Sequence, residues 1–167
     1  MKMPEIIATI AVIISVLAFA HTLIAWRRSF RPIVTAMVRT AQSGELSTIY
    51  NLVLLNSGSI PAKNITLHIH DQGQLEASLL YADETNRSRF LACFEPNTKI
   101  SVLHNGASVS CSFGFTGVNT GFWKPGAKFT IRIRYEGWFS HTYCEYQIIK
   151  IVDSNSFTGR YWGTKAE

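Results

Sequence analysis

The sequence predicts a mainly β protein in which a single N-terminal transmembrane helix precedes a seven-stranded β-sandwich with a short helical insertion. Three observations support this prediction. Residues 6–26 carry no formal charge, and most of the chain beyond them alternates between apolar and polar residues with turn signals in between. Residues 74–94 break that pattern with leucines at helical spacing. We therefore expect a membrane segment with a basic junction, a β-sandwich and a tail, at residues 1–31, 32–153 and 154–167.

The uncharged segment 6–26 has the length of a membrane-spanning helix. As a helix, its 21 residues extend about 31 Å, close to the roughly 30 Å of a bilayer's hydrocarbon core. Two alternatives are a secretory signal cleaved after Ala18-Phe19-Ala20 and a buried helix of a soluble domain. The apolar run continues to Trp26, beyond the usual length of a signal, and has no polar face. A membrane anchor is therefore the favoured interpretation.

The charges that flank this helix predict its orientation. Lys2 precedes it, whereas Arg27, Arg28 and Arg31 follow it, and Trp26 stands at the boundary where interfacial aromatic residues are common. The positive-inside rule places the arginine side in the cytoplasm. We expect a single-pass protein of the cell inner membrane whose C-terminal domain is cytoplasmic.

Small residues recur along the predicted helix at heptad spacing. Small seams allow two helices to approach closely in lipid. The spacing predicts self-association or packing against a partner membrane helix, although alanine is common in membrane helices. The seam comprises Ala8, Ala11, Ser15, Ala18, Thr22 and Ala25.

The net charge of +5 is concentrated at the membrane junction. Without Lys2, Arg27, Arg28, Arg31 and Glu5, the counts fall from 16 basic and 11 acidic residues to 12 and 10. At the junction, basic residues attract anionic lipid. No basic run or RNA-binding motif accompanies them, so we expect no nucleic-acid partner.

Three cysteines, Cys93, Cys111 and Cys144, make a poor disulfide framework because their number is odd and their spacing is wide. This pattern favours a reducing compartment. We expect the three thiols to pack as small hydrophobic groups in strands.

Seven segments have strand character, and turn residues separate them. The dipeptide Asn105-Gly106 predicts a tight hairpin. Beyond the last strand, Phe157, Tyr161 and Trp162 are available for docking. The predicted strands are 33–40, 48–55, 64–70, 99–104, 108–115, 129–135 and 143–152.

Two short motifs carry a resemblance. One is the strand–turn–strand pattern Asn56-x-Gly58-x-x-Pro61-Ala62-x-Asn64-Ile65-x-Leu67, and the other is Leu103-x-Asn105-Gly106-x-Ser108-Val109. Both are similar to bacterial immunoglobulin-like domains of the CARDB type. The chain also resembles uncharacterised bacterial membrane proteins with one helix, an arginine-rich junction and such a sandwich. The resemblance covers roughly residues 32–152 and implies an immunoglobulin-like fold. Such domains are often extracytoplasmic and linked to adhesion, which differs from the predicted orientation.

Alternating strand direction assigns the two ends of the sandwich. The turns at 56–61, 105–106 and 136–140 should face the bilayer. Trp138 and Phe139 are then predicted to enter the membrane interface as aromatic anchors. The alternative is that they cap the core.

The other end of the sandwich offers arginines beside aromatic residues, a composition typical of contact surfaces. We expect an unidentified cytosolic protein to bind there, the alternative being a solvated loop with Trp123 beneath it. The predicted contact residues are Arg87, Arg89, Phe122, Trp123 and Lys124.

The residues that could carry chemistry are few. His68 and His70 share one face of a strand, but a metal site needs further ligands, so we expect no metal. His141 and Cys144 are three positions apart, an odd spacing that should place them on opposite strand faces. No catalytic, phosphate-binding or dinucleotide motif occurs, and no catalytic residue or cofactor is predicted.

These observations favour a membrane-tethered, non-enzymatic interaction module that acts as an adaptor or scaffold and self-associates through its helix. The expected partners are the lipid bilayer, a second copy or another membrane helix, and a cytosolic protein. The alternative function is a ligand sensor or membrane effector, for example in bacterial defence, whose sandwich binds a small molecule. A hydrolase or metal enzyme is the third and least favoured interpretation.

Overall fold

The structure, a computed structural model, describes residues 3–117 and 120–151. A long N-terminal helix, α1, spans Met3–Ser29. Seven strands follow within the described residues, with two short helices, α2 at Gln72–Ser78 and α3 at Glu84–Phe90, inserted after the third. Single 3₁₀ turns occur at Ala92–Phe94 and Trp138–Ser140. The strands are β1 Val34–Ser43, β2 Ser47–Asn56, β3 Ala62–Ile69, β4 Ile100–Leu103, β5 Ser108–Gly117, β6 Lys128–Glu136 and β7 Thr142–Lys150.

The strands form two antiparallel sheets with the orders β1-β2-β5 and β4-β3-β6-β7. Side chains from both sheets share one hydrophobic core, which includes Leu52 and Phe113 from the first sheet and Ile65 and Ile133 from the second. The predicted mainly β chain with seven strands and an N-terminal apolar helix is confirmed. The predicted insertion is also present. Aspartates cap both of its helices, because Asp71 accepts hydrogen bonds from backbone N–H groups of α2 and Asp83 from one of α3.

The strand boundaries differ from the predictions where tertiary pairing extends a strand. We expected the first strand to end at residue 40, but β1 continues to Ser43 with an irregularity between Thr40 and Gln42. A bulge of this kind lets a strand keep its partner through a local break in register. The last strand ends at Lys150 rather than 152, and the predicted docking residues Phe157, Tyr161 and Trp162 lie outside the described residues.

The expectation that all three cysteines pack as small hydrophobic groups in strands is wrong for two of them. Cys93 lies in a 3₁₀ turn, and Cys144 is exposed on β7. Cys93 and Cys111 are free thiols that line one apolar pocket. The interaction with Cys111, together with burial, raises the pKa of the Cys93 thiol. Local sequence could not show that these two thiols meet.

The buried side chain of Asn56 joins three segments of the backbone at the helix end of the domain. Its Oδ1 accepts hydrogen bonds from the N–H groups of Ile33 (3.2 Å) and Gly58 (3.0 Å). Its Nδ2 donates to the carbonyl oxygens of Ile60 (2.8 Å) and Leu103 (3.0 Å). Asn56 is 0% exposed, so these bonds satisfy an amide that water cannot reach. One amide therefore connects the linker, the β2–β3 turn and the end of β4.

The linker between α1 and β1 is held by two further backbone hydrogen bonds. Ser57 N–H donates to the Ile33 carbonyl at 2.9 Å, and Ser59 N–H donates to the Arg31 carbonyl at 3.2 Å. A Cβ atom at Gly58 would lie well inside van der Waals contact with the backbone of Arg31 and Ile33. The β2–β3 turn thus packs directly on the linker, and the helix is attached to the sheets by a rigid connection.

The three turns predicted to share one end of the domain do lie together beside this linker. Gly106 N–H donates to the Asn56 carbonyl at 2.8 Å, which brings the β4–β5 turn to the β2–β3 turn. Gly137, in the β6–β7 turn, has no room for a Cβ because the Pro32 ring and Tyr143 occupy that space. All three turns therefore face the end of α1.

Replacing Asn56 should destabilise the domain strongly. Asn56→Ala leaves two N–H groups and two carbonyls without their partner, and we expect the free energy of unfolding to fall by about 2–4 kcal/mol. Denaturant unfolding of the full chain in detergent micelles, followed by tryptophan fluorescence, measures this. Asn97→Ala is the matched control, because Asn97 is exposed in a turn and its loss should cost less than about 0.5 kcal/mol. Equal losses for the two variants would contradict the role of Asn56.

Replacing Gly58 should loosen the attachment of the helix. Gly58→Ala forces the linker backbone to move, so we expect a loss of about 1–3 kcal/mol in stability and faster tryptic cleavage after Arg28. The control is Gly44→Ala, since a Cβ there meets its nearest atom at an ordinary 3.7 Å. Mass spectrometry measures the cleavage rates. Equal rates for the two variants would disprove the rigid connection.

Candidate functional site

An open concavity lies where α1 meets the sheets. It is an open groove of about 920 Å³ between the last turns of α1 and the β6–β7 turn, called here the junction groove. Its lining residues are Ile24, Arg27, Arg28, Arg31, Trp138 and residues 140–143. The predicted basic junction and the predicted aromatic anchor Trp138 therefore belong to one site.

The β6–β7 turn forms one wall of the junction groove. Gly137 N–H donates to the His141 carbonyl, and His141 N–H donates to the Trp138 carbonyl, both at 2.9 Å. Ser140 completes this tight turn with a left-handed φ of 57°. The His141 ring lies edge-on to Tyr143 at 4.8 Å between centroids. The wall is thus braced by its own hydrogen bonds and ring contacts.

Aromatic rings connect the two walls. The Trp26 ring lies 5.5 Å from the Trp138 ring and 5.6 Å from that of Phe30, measured between centroids. Trp26 is 39% exposed and Trp138 is 42% exposed, so both present ring surface outside the core. The side chain of Phe139, the other predicted anchor, lies outside the described residues.

The junction groove is cationic. None of its described lining residues is Asp or Glu, and Arg28 and Arg31 form no ion pair with any residue that the structure describes. Glu145 of β7 does not line the groove and accepts a hydrogen bond of 2.7 Å from the Tyr135 hydroxyl. Burial and this bond raise the pKa of Tyr135, so the phenol stays neutral and adds no negative charge.

Helix α1 presents apolar side chains on every side, and none of its residues is buried. Among the described residues it is the one helix long and apolar enough to cross a membrane. Both hydroxyls of the predicted seam are satisfied within the helix, since Ser15 donates to the Ala11 carbonyl (2.9 Å) and Thr22 to that of Ala18 (2.8 Å). The seam, which comprises Ala8, Ala11, Ser15, Ala18, Thr22 and Ala25, is therefore compatible with an apolar environment.

Two residues of the predicted partner surface are core residues instead. Phe122 and Trp123 are each 0% exposed, so the expectation that their side chains contact a partner is corrected. Trp123 stacks on Phe129 at 5.3 Å between ring centroids and donates from Nε1 to the Phe113 carbonyl. Gly114, with φ of 79°, faces both aromatic rings and has no space for a Cβ. A glycine inside a strand signals such a close approach, and this was the clue in the sequence.

The basic members of that surface remain accessible. Arg87 forms a two-point hydrogen-bonded ion pair with Glu76 (2.6 and 2.5 Å), Arg89 lies over the Phe90 ring, and the Lys124 ammonium donates to the Ala77 carbonyl at 2.8 Å. The Arg87–Glu76 pair joins α3 to α2, and the Lys124 bond joins α2 to the loop before β6. That a partner binds there stays a prediction.

His68 and His70 do not gather further ligands. No group of three or more His, Cys, Asp or Glu residues with metal-binding geometry occurs in the described part of the chain. His68 lies opposite Arg132, and partial burial together with Arg132 and Arg134 lowers the pKa of its imidazole. His70 packs edge-on against Tyr146 at 4.8 Å between centroids. Two neighbouring guanidinium groups disfavour a cation at this position.

Sequence reasoning missed part of the junction groove. Residues 140–143 and Ile24 line it, yet no motif marks them. The signal that could have found them was position, since they follow the turn predicted to face the helix.

The sequence was compared with known proteins. No curated protein matches it. Residues 5–154 match the model of a family described as a domain of unknown function, DUF8453. The matched range takes in nearly all of α1 together with all seven strands. The resemblance to CARDB-type domains stays a prediction beside this match. Since the match spans most of the chain, the protein belongs to the DUF8453 family.

Proposed function

We propose that this protein is a single-pass membrane protein of the bacterial inner membrane that holds a non-enzymatic interaction domain at the cytoplasmic surface. The observation that carries the proposal is an apolar helix without buried residues, rigidly attached to the sheets beside a cationic groove. Thirteen large apolar side chains of α1 are exposed. Burying them in lipid is worth roughly 20–40 kcal/mol at about 1.5–3 kcal/mol each. A cost of that size in water favours a bilayer around α1.

We propose further that the two sheets form an immunoglobulin-like sandwich. The constant-type immunoglobulin fold places strands A, B, E and D in one sheet and C, F and G in the other. Here the orders are β1-β2-β5 and β4-β3-β6-β7. They correspond to A-B-E and D-C-F-G, with the fourth strand moved to the edge of the other sheet. This correspondence and the shared core support the proposal.

The orientation is proposed from the arginines at the end of α1. Arg27, Arg28 and Arg31 lie at the domain end of the helix, the position at which the positive-inside rule acts. The domain would then be cytoplasmic, where free thiols such as those of Cys93, Cys111 and Cys144 persist. The surface formed by Arg87, Arg89 and Lys124 lies at the opposite end of the sheets and would then point away from the bilayer. We propose that it contacts the cytosolic partner.

We propose that α1 also mediates self-association. Its seam of small residues has satisfied hydroxyls, so two helices would approach closely without leaving a polar group unpaired in lipid.

A second candidate function is a ligand sensor or membrane effector. A pocket of about 210 Å³ opens between the sheets and is lined almost entirely by apolar groups, including Leu52, Leu67 and Ile100, together with the Cys93 and Cys111 thiols. A small apolar molecule fits such a pocket in size and polarity. Binding there would favour this function over the scaffold.

The exposed Cys144 reports the side of the membrane on which the domain lies. In a bacterial host, we expect the full chain to resist extraction by alkaline carbonate. We also expect a membrane-impermeant maleimide to label Cys144 in inside-out vesicles but not in spheroplasts. Cys144→Ser is the control that removes this labelling. Labelling in spheroplasts would disprove the orientation, and an intact mass lacking residues 1–20 would show a cleaved signal instead of an anchor.

A bulky residue in the seam should weaken self-association. We expect Ala18→Leu to reduce dimerisation in bilayers by about 1–2 kcal/mol, roughly tenfold, as measured by energy transfer between labelled copies. Ala20→Leu makes the same change outside the seam and should have little effect. If both variants dimerise equally, the seam is not the interface.

A further inference from the structure

The junction groove lies beside the end of α1, the proposed membrane helix. We propose that the groove binds the headgroup phosphate of one anionic phospholipid, which bridges the end of α1 and the β6–β7 turn. This inference rests on the proposed function, because it requires α1 to be embedded in a bilayer.

The charge of the groove fits an anionic headgroup. Three guanidinium groups line it together with His141, and none of its described lining residues is acidic. Glu136 of β6 and Glu145 of β7 do not line the groove: Glu136 accepts a hydrogen bond from Asn64 Nδ2 (2.8 Å), and Glu145 accepts one from the Tyr135 hydroxyl (2.7 Å). Guanidinium groups bind phosphate oxygens in a two-point geometry and are more weakly hydrated than ammonium groups. A zwitterionic headgroup would bring its own cation close to the same arginines.

The depth of the groove matches the headgroup layer. Arg28 follows Trp26 by two residues, which places it about 3 Å further along the helix axis. A headgroup layer is roughly 5–7 Å thick on each side of the hydrocarbon core. The Arg28 backbone thus lies at the level of the phosphates when Trp26 lies at the interface. Ile24 lines the deeper part of the groove, where the acyl chains begin.

The β6–β7 turn, which forms the second wall of the groove, makes it a defined cleft rather than a set of separate charges at the end of α1. The β6–β7 turn is fixed before any lipid arrives, because Gly137 packs against Pro32 and Tyr143, and the Trp138 ring contacts Trp26. The hydroxyl-bearing Ser140 and Thr142 lie along this wall. A preformed cleft loses little conformational entropy on binding, so it can hold one headgroup rather than attract many weakly.

Lipid titration of the full-length protein in detergent, measured by native mass spectrometry, tests the proposal with phosphatidylglycerol and phosphatidylcholine as probes. We expect the first phosphatidylglycerol to bind more tightly than phosphatidylcholine. Arg28→Gln/Arg31→Gln should raise its Kd roughly ten- to thirtyfold. Trp138→Ala keeps every charge but removes part of the wall, so we expect a rise of about three- to tenfold. The matched control is Arg39→Gln, which removes an exposed arginine of β1 outside the groove and should leave the Kd unchanged.

Several results would overturn the proposal. An unchanged Kd in Trp138→Ala would show that the lipid is attracted by the overall positive charge and not held in a site. A rise in Kd for Arg39→Gln as large as that for Arg28→Gln/Arg31→Gln would show the same. Phosphatidylcholine binding as tightly as phosphatidylglycerol would exclude an anionic headgroup, and displacement by equimolar inorganic phosphate would identify a soluble anion as the occupant. Retention in vesicles after alkaline carbonate separates the two proposals. Protein that is extracted disproves the membrane anchor, whereas protein that is retained without a lipid preference disproves the groove site alone.

Discussion

The side-chain amide of Asn56 is the interaction on which the arrangement of helix and sheets depends. It accepts two hydrogen bonds and donates two, and so holds four backbone groups from the linker, the β2–β3 turn and the end of β4. No charge is involved, so the bonds are insensitive to pH and salt. A buried amide of this kind is favourable only while all of its partners are in place, which couples the linker to the turns. The geometry of the junction is therefore a property of the folded domain and not of the linker alone.

The rigid junction fixes the orientation of the domain relative to α1. The Arg31–Ile33 backbone is hydrogen-bonded to the β2–β3 turn, and the β6–β7 turn packs against Pro32. Both turns lie at the helix end, so the opposite end, with Arg87, Arg89 and Lys124, is held away from it. In a bilayer, this geometry presents one end of the sheets to lipid and the other to solvent. A flexible tether would allow neither a fixed groove nor a fixed contact surface.

The aromatic cluster at the far end of the domain has a structural role. Phe113, Phe122, Trp123 and Phe129 pack with centroid distances of 4.8 to 6.3 Å and close the core beneath the α2–α3 insertion. Leu80 and Tyr81 N–H groups donate to the Phe122 and Gly121 carbonyls at 3.0 Å, so the insertion is bonded to the same loop. The rest of this surface combines the basic Arg87, Arg89 and Lys124 with the exposed side chains of Leu80 and Tyr81. A partner that binds here would contact charged side chains that lie above the packed aromatic rings of the core.

The sequence alone determined the helix, the seven strands and the end of the domain at which each turn lies, because these follow from local periodicity and from the alternation of strand direction. Only the tertiary structure decided that Phe122 and Trp123 are buried, that Cys93 meets Cys111, and that the β6–β7 turn walls a groove with the end of α1. Each of these depends on contacts between residues far apart in the chain. A pattern read along one segment reports which of its faces is apolar, and it holds no information on which distant segment will cover that face.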